Sequence, residues 1–108
     1  MTAEQSVLVE RLRDRLAADP TREISMFGAR AFMVNEKLAV AVWTHGDLLV
    51  RVPTERHEEL ATRPGAHPAE MAGRTLGEGW ISVTAASIES AAALESWLTV
   101  ALDHNRGM

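Results

Sequence analysis

The side chains best suited to acid–base or metal chemistry in this sequence are its four histidines, His45, His57, His67 and His104. No two of them have the His-x-x-x-His or His-Glu-x-x-His spacing that places two imidazoles on one helical face, where a metal ion needs them. None has a catalytic companion nearby in the sequence. We therefore expect each histidine to be a solvated surface residue, and we predict no metal site.

Groups for covalent catalysis or phosphate binding are equally sparse. Cys is absent, which excludes thiolate catalysis, disulfides and cysteine-ligated metals. The sequence also has no Gly-x-Ser-x-Gly nucleophile motif. Residues 73–79, Gly-Arg-Thr-Leu-Gly-Glu-Gly, are rich in glycine but lack the Lys-Ser/Thr of a phosphate-binding loop. We predict a protein that is not an enzyme and binds no cofactor.

The charge balance argues against direct binding of nucleic acid. The chain carries 11 Lys and Arg against 15 Asp and Glu, a formal net charge of −4 at pH 7. A domain that binds the phosphate backbone normally shows a basic stripe, and one that binds single strands interleaves basic and aromatic residues. Here the arginines are scattered singly among acids. We expect no direct DNA or RNA contact.

Sequence periodicity predicts the elements that must position any site. Leu8, Leu12 and Leu16 recur every fourth residue within 2–18, which predicts an amphipathic helix that ends before Pro20. The period then changes to two and predicts four strands, at 24–27, 31–35, 38–44 and 48–52. Their short turns require antiparallel neighbours. The rest predicts a short helix at 55–61, a loop over 66–78 with a strand at 70–73, a last strand at 80–84, and a helix from Ser87 or Ser90 to about 104.

Both faces of this predicted meander are apolar. One set comprises Leu38, Val40, Val42, Leu48, Val50 and Val52, and the other comprises Ala39, Ala41, Trp43 and Leu49, with Arg51 as its one charge. An antiparallel sheet covered on one side alone shows polar residues on the other. Two alternatives remain open: helices cover both faces, or the second face meets another protein, most simply a second copy of the chain. If the second alternative holds, we predict that the chain forms a homodimer.

A succession of motifs resembles one known family. Met26-Phe27-Gly28 is followed by Phe-Met-Val-Asn at 32–35, Lys-Leu-Ala-Val at 37–40 and Leu-Leu-Val-Arg-Val at 48–52. Later come Arg-Pro-Gly-Ala-x-Pro at 63–68, Met-x-Gly-Arg at 71–74 and Gly79-Trp80. In order and spacing this pattern, from about 24 to 97, resembles the TfoX N-terminal domain family.

The resemblance implies an α+β fold similar to the type III secretion chaperone-like fold. That is an antiparallel meander with N-terminal, middle and C-terminal helices. Two-domain relatives are bacterial regulators of competence genes that act with the cyclic-AMP receptor protein at certain promoters. They carry a helical C-terminal domain, whereas we expect 1–108 to be one stand-alone domain. The family offers no catalytic residues to transfer. Ala29 and Glu36 stand where its members often have glycine.

Together these observations predict a non-enzymatic, regulatory protein-interaction domain whose partner is itself or a transcription regulator. The expected interaction surface comprises Met26, Phe27, Trp43, Leu49, Arg51, Arg63, Arg74 and Trp80. One alternative is a small-molecule or anion-binding protein that closes the loop Arg63 to Gly79 over its ligand. Another is a regulator that binds DNA directly. The sequence begins without a signal peptide and lacks an apolar run of membrane length, so we expect a cytoplasmic protein that does not bind membranes.

Overall fold

The first helix begins with a reciprocal cap. In a computed structural model, which describes residues 1–71 and 73–107, α1 spans Ala3–Arg15. The Thr2 hydroxyl accepts a hydrogen bond from the Gln5 backbone N–H (3.1 Å), and the Gln5 side chain accepts one from the Thr2 N–H (3.4 Å). This is a capping box. The helix ends at Arg15, earlier than the predicted residue 18. Just beyond this end, the Thr21 hydroxyl donates a hydrogen bond to the Leu16 carbonyl (3.2 Å).

Eight strands follow in the part of the chain that the structure describes, and six of them form one antiparallel sheet. The predicted meander is confirmed, and with it the α+β fold class. The strands are β1 Thr21–Met26, β2 Ala29–Val34, β3 Lys37–Val42, β4 Leu48–Arg51, β5 Ala66–Pro68, β6 Glu70–Met71, β7 Arg74–Thr75 and β8 Trp80–Val83. The sheet order is β1-β2-β3-β4-β8-β5, while β6 and β7 form a separate hairpin. The strand predicted at 70–73 corresponds to part of this hairpin, and its residue 72 lies outside the described residues.

Within the described residues, four helical elements follow β4. A 3-10 turn at Thr54–Arg56 leads into α2, His57–Leu60, and a second 3-10 turn at Ala85–Ile88 precedes α3, Ala91–Arg106. The Ser90 side chain caps α3 by accepting a hydrogen bond from the Ala93 N–H (3.1 Å).

The main core lies between one face of the sheet and helices α1 and α3. The core consists of leucines of α1, the apolar stripe of α3 and the inward-facing residues of β2, β3, β4 and β8. Its largest fully buried side chains include Phe32, Leu12, Leu48, Ile81 and Leu94. Across this interface Asn105, also buried, donates from its side chain to the Val34 carbonyl (2.9 Å), which fixes the end of α3 against β2.

A β-bulge changes which face two predicted residues occupy. Phe32 pairs with Val40, yet Met33 pairs with Leu38, so β3 holds one extra residue between these pairs. Ala39 consequently packs in the main core, whereas Leu38 packs on the opposite face. The assignment from strict alternation was wrong for these two residues because a bulge interrupts the two-residue period.

The centre of the second face of the sheet is covered by a hairpin of the same chain, which neither alternative included. Ala31, Ala41 and Leu49 lie buried at its centre, and the segment that carries the β6–β7 hairpin contributes Ala69 and Leu76 to the same cluster. The Leu76 N–H donates to the Ala69 carbonyl (2.7 Å), which closes the base of that hairpin. The chain's own hairpin therefore covers the centre of the face, and half-buried side chains surround it.

The structure also bears on membrane insertion. None of the helices in the described ranges has the length and apolarity that a membrane span requires.

Candidate interaction surface

The turn between β1 and β2 presents an exposed aromatic residue in an unfavourable backbone conformation. Met26 pairs with Ala29, which leaves Phe27 and Gly28 as a two-residue turn. Both have positive φ, +52° for Phe27 and +82° for Gly28. This is the pattern of the type I′ hairpin turn, in which Asn and Gly are the favoured residues. Phe27 is nonetheless 79% exposed, the highest exposure of any large apolar residue described.

A buried glutamine holds this turn in place. The Gln5 side-chain amide donates to the carbonyls of Gly28 (3.1 Å) and Val42 (3.0 Å), and Gln5 is 2% exposed. In addition, the Thr2 hydroxyl donates to the Thr44 carbonyl. The start of α1 is thereby bonded to two adjacent turns of the sheet. The backbone below Phe27 is anchored on the protein side while its ring remains in solvent.

Charged side chains tie the same hairpin to α1. The Arg13 guanidinium donates to both Glu23 carboxylate oxygens, from Nε (2.6 Å) and Nη2 (2.9 Å), and Arg30 lies 3.5 Å from that carboxylate. The hydrogen bond from Arg13 is the largest influence on Glu23 and lowers its pKa. Both ends of the exposed turn are therefore fixed, by Gln5 at Gly28 and by Arg13 along β1.

Four residues of the predicted surface do lie together on the second face. Met26, Trp43, Leu49 and Trp80 belong to one cluster. The Trp43 indole N–H donates to the Ser82 hydroxyl (3.2 Å), and the Arg51 guanidinium lies over the Trp80 ring, 5.5 Å from its centroid. Arg51 thus has an aromatic partner within its own chain.

Leu49 is not a surface residue, and this part of the prediction was wrong. Only 1% of Leu49 is exposed, because it packs in the cluster to which Ala69 and Leu76 belong. Met26, Trp43 and Trp80 stay half-buried around that cluster. Within the described residues, the centre of the second face is therefore covered, and half-buried side chains form its edge.

The two arginines of the loop Arg63 to Gly79 lie in different parts of the fold. The Arg63 guanidinium lies over the Trp97 ring of α3 (5.0 Å to the centroid) and donates to the Ser96 hydroxyl (3.0 Å). Arg74 belongs to β7, in the hairpin that carries Leu76 to the opposite face of the sheet, and is exposed. Arg63 therefore packs on the helical layer and Arg74 does not, so this geometry does not favour an anion held between them.

Two histidines share an acidic partner, which their sequence positions did not indicate. Nε2 of His45 lies 3.1 Å and Nε2 of His67 lies 3.7 Å from Oδ2 of Asp47. The other oxygen of Asp47 accepts a hydrogen bond from the Ala85 N–H (2.9 Å). Both histidines are exposed, as expected from the sequence, and sheet pairing brings β5 with His67 beside the turn after β3. Within residues 1–71 and 73–107, no group of three or more His, Asp or Glu side chains is arranged to hold a metal ion.

These features define a small α+β domain whose antiparallel sheet is covered by helices on one face and extends an anchored, aromatic hairpin turn. The chain belongs to the TfoX N-terminal domain family, whose model matches residues 14–105. The matched segment includes the Phe27 turn, whereas Thr2 and Gln5, which anchor that turn, precede it. The resemblance seen in the sequence motifs is confirmed.

Comparison with solved structures supports the same fold. A crystal structure of a protein from Pseudomonas syringae superposes with a TM-score of 0.64 at 17% sequence identity. The alignment covers 94% of this chain and 96% of that chain. No curated protein matches the sequence closely enough to add a relative.

Proposed function

We propose that this chain is a non-enzymatic, regulatory domain that binds another protein through the anchored turn at Phe27. The exposure of that side chain in a left-handed backbone conformation is the observation that carries the proposal. Phe27 is unfavourable for the fold in two ways. The φ of Phe27 adds strain of about 1–2 kcal/mol, and its ring contacts water across most of its surface.

A binding role accounts for both features of Phe27. Aromatic residues are enriched at the centres of protein interfaces, where burial of one ring contributes a large part of the affinity. The anchoring by Gln5 means that little backbone order has to be gained when the partner arrives, and such preorganisation favours affinity. The acidic net charge of −4 favours a protein partner over nucleic acid. A transcription regulator and a second copy of the chain are the two partners that we expect, and a cytoplasmic location stays a prediction.

Site-specific photocrosslinking tests the proposal. Phe27 is replaced by the photoreactive benzoylphenylalanine, which preserves an aromatic ring, and Thr99, exposed on α3, is replaced in a matched control. Irradiation of cells that produce each protein should yield a discrete protein adduct from position 27 and none from position 99. Adducts that are equally weak or equally diffuse from both positions would show that the turn is ordinary surface.

A further inference from the structure

An apolar groove adjoins α1, the helix whose Gln5 side chain bonds to the Phe27 turn. It runs between α1 and the 3-10 turn at Ala85–Ile88 and has a volume of about 240 Å³. It is lined by apolar side chains that include Val7 and Ile88, by Gly46, and by the charged side chains of Glu4, Arg11 and Glu89. Val7 is 65% exposed, although it belongs to the helix whose residues Leu8 and Leu12 are buried in the main core. We call this feature the Val7 groove.

The groove and the Phe27 turn flank the same two turns of α1. Gln5, which bonds to Gly28, lies on one side of the helix, while Val7 and Leu8 line the groove on another. Gly46 brings the turn after β3 against Glu4, where an added Cβ would lie 3.0 Å from the Glu4 Cβ. Both features therefore adjoin the N-terminal half of α1. A partner that approaches this end of the molecule meets both.

We propose that the partner is a second copy of this chain, and that each copy inserts Phe27 into the Val7 groove of the other. The inference rests on the proposed function and names the partner for the same turn. A phenyl ring fits this space, since a cavity of roughly 150 Å³ holds benzene in a protein core. Because the ring and the groove both adjoin the N-terminal half of α1, a two-fold axis between two copies can place the ring of each copy in the groove of the other. The contact closes at two chains and does not propagate into a filament.

The charges around the two features are partly complementary. Arg30 lies two residues beyond the turn and 3.5 Å from the Glu23 carboxylate of its own chain. The groove is lined by two carboxylates and one guanidinium, those of Glu4, Glu89 and Arg11, so its lining carries a net negative charge. Within the part of the chain that the structure describes, neither Glu4 nor Glu89 forms an ion pair. In the two-fold arrangement, the insertion of Phe27 brings Arg30 of one copy toward these two carboxylates of the other. Insertion of the two rings alone buries less than the usual 1,200–2,000 Å² of a stable interface, so we expect a weak dimer.

Sedimentation equilibrium from about 5 to about 300 µM spans the dissociation constants expected for weak dimers. The unmodified chain should approach twice its mass of 11.8 kDa at the upper concentrations. Phe27→Asn should raise the dimer dissociation constant at least roughly a hundredfold, since two aromatic contacts are lost at once. Val7→Glu, at an exposed helical position, should weaken the dimer similarly, and Thr99→Asp on α3 is the matched control that should not.

A mixing experiment distinguishes this exchange from any other dimer. Phe27→Asn keeps an intact groove and Val7→Glu keeps an intact ring, so a mixed pair regains one of the two contacts. Native mass spectrometry of the mixture should therefore show the mixed dimer in excess over either variant's own dimer. Circular dichroism should show that both variants are folded.

Three results would overturn the inference. The first is a monomer at every concentration, and the second is an assembly that grows beyond two chains. The third is a dimer that survives Val7→Glu or gains nothing on mixing. A monomer that still forms a position-27 crosslink to a different protein would reject the exchange and leave the proposed function standing. The absence of any such crosslink, together with a Phe27-independent dimer, would reject both.

Discussion

Replacement of Phe27 by asparagine should stabilise the fold. An L-residue with a side chain is disfavoured in the left-handed region by about 1–2 kcal/mol, and asparagine tolerates that region because its short side chain bonds locally. Phe27 has φ +52° and is 79% exposed, so only about a fifth of its surface contributes hydrophobic stabilisation. If full burial of Phe is worth roughly 1.5–3 kcal/mol, that fifth contributes about 0.3–0.6 kcal/mol.

The difference leaves a net gain of about 0.4–1.7 kcal/mol for Phe27→Asn. In a domain of this size the gain should raise Tm by roughly 2 to 14 °C. Thermal and urea unfolding at low micromolar concentration measure it, because self-association contributes little to stability there. The urea m-value should not change, since the surface exposed on unfolding stays nearly the same.

Phe27→Ala is the matched comparison, because alanine keeps the Cβ and with it most of the backbone strain. We expect Phe27→Ala to be neutral or slightly destabilising. Glu36, with φ +63° in the similar turn between β2 and β3, provides a second comparison: Glu36→Gly relieves strain far from Phe27 and should not alter crosslinking or dimerisation. If Phe27→Asn is no more stable than Phe27→Ala, strain at the turn is not what asparagine relieves, and the reasoning fails.

Two further predictions concern the second face and the charged contacts. Leu49→Glu should destabilise the chain by more than about 3 kcal/mol, because the new carboxylate would enter a cluster where Leu49 is 1% exposed. A soluble, normally stable Leu49→Glu protein in urea titration would place Leu49 on a surface instead. The hydrogen bond from Arg13 lowers the pKa of Glu23 in the folded state. The ionised Glu23 side chain therefore stabilises the fold at pH values above its unfolded-state pKa, and this stabilisation is lost as the pH falls through its folded-state pKa. The stability difference between the unmodified chain and Glu23→Gln should therefore be constant at neutral pH and shrink below about pH 4.5; a difference that grows on acidification would contradict the assignment.

The strands and their turns were predictable because the information is local. Alternating apolar residues and short connections at 35–36 and 44–47 indicated an antiparallel meander, and the structure has one. The turn after β1 was placed one residue too late, at 28–30, because Gly28 was taken as its start. Pairing of Met26 with Ala29 makes Phe27 part of the turn, and this shift explains why an apolar residue expected in a strand is exposed.

The sequence motif drew attention to some residues of the candidate site, but the sequence did not show which residues contact one another there. Phe27 and its neighbours were singled out by a motif, whereas Gln5 and Val7 were not, because nothing in the spacing of α1 distinguishes a residue that bonds to Gly28 from one that lines a groove. His67 likewise reaches Asp47 only through the pairing of β5 with β8. Contacts between residues that are distant in sequence depend on strand order, which periodicity does not report.

The sequence by itself determined the class of the protein and excluded several chemistries: its periodicities specify α1, the meander and α3, and the absence of Cys removes thiolate catalysis. The tertiary structure alone decided which apolar residues meet solvent. A bulge opposite Phe32 exchanged the faces of Leu38 and Ala39, and the β6–β7 hairpin covered Leu49. The physical reason is that burial depends on what packs against a residue. A local apolar pattern is the same whether a helix, a hairpin, a second copy or water covers it.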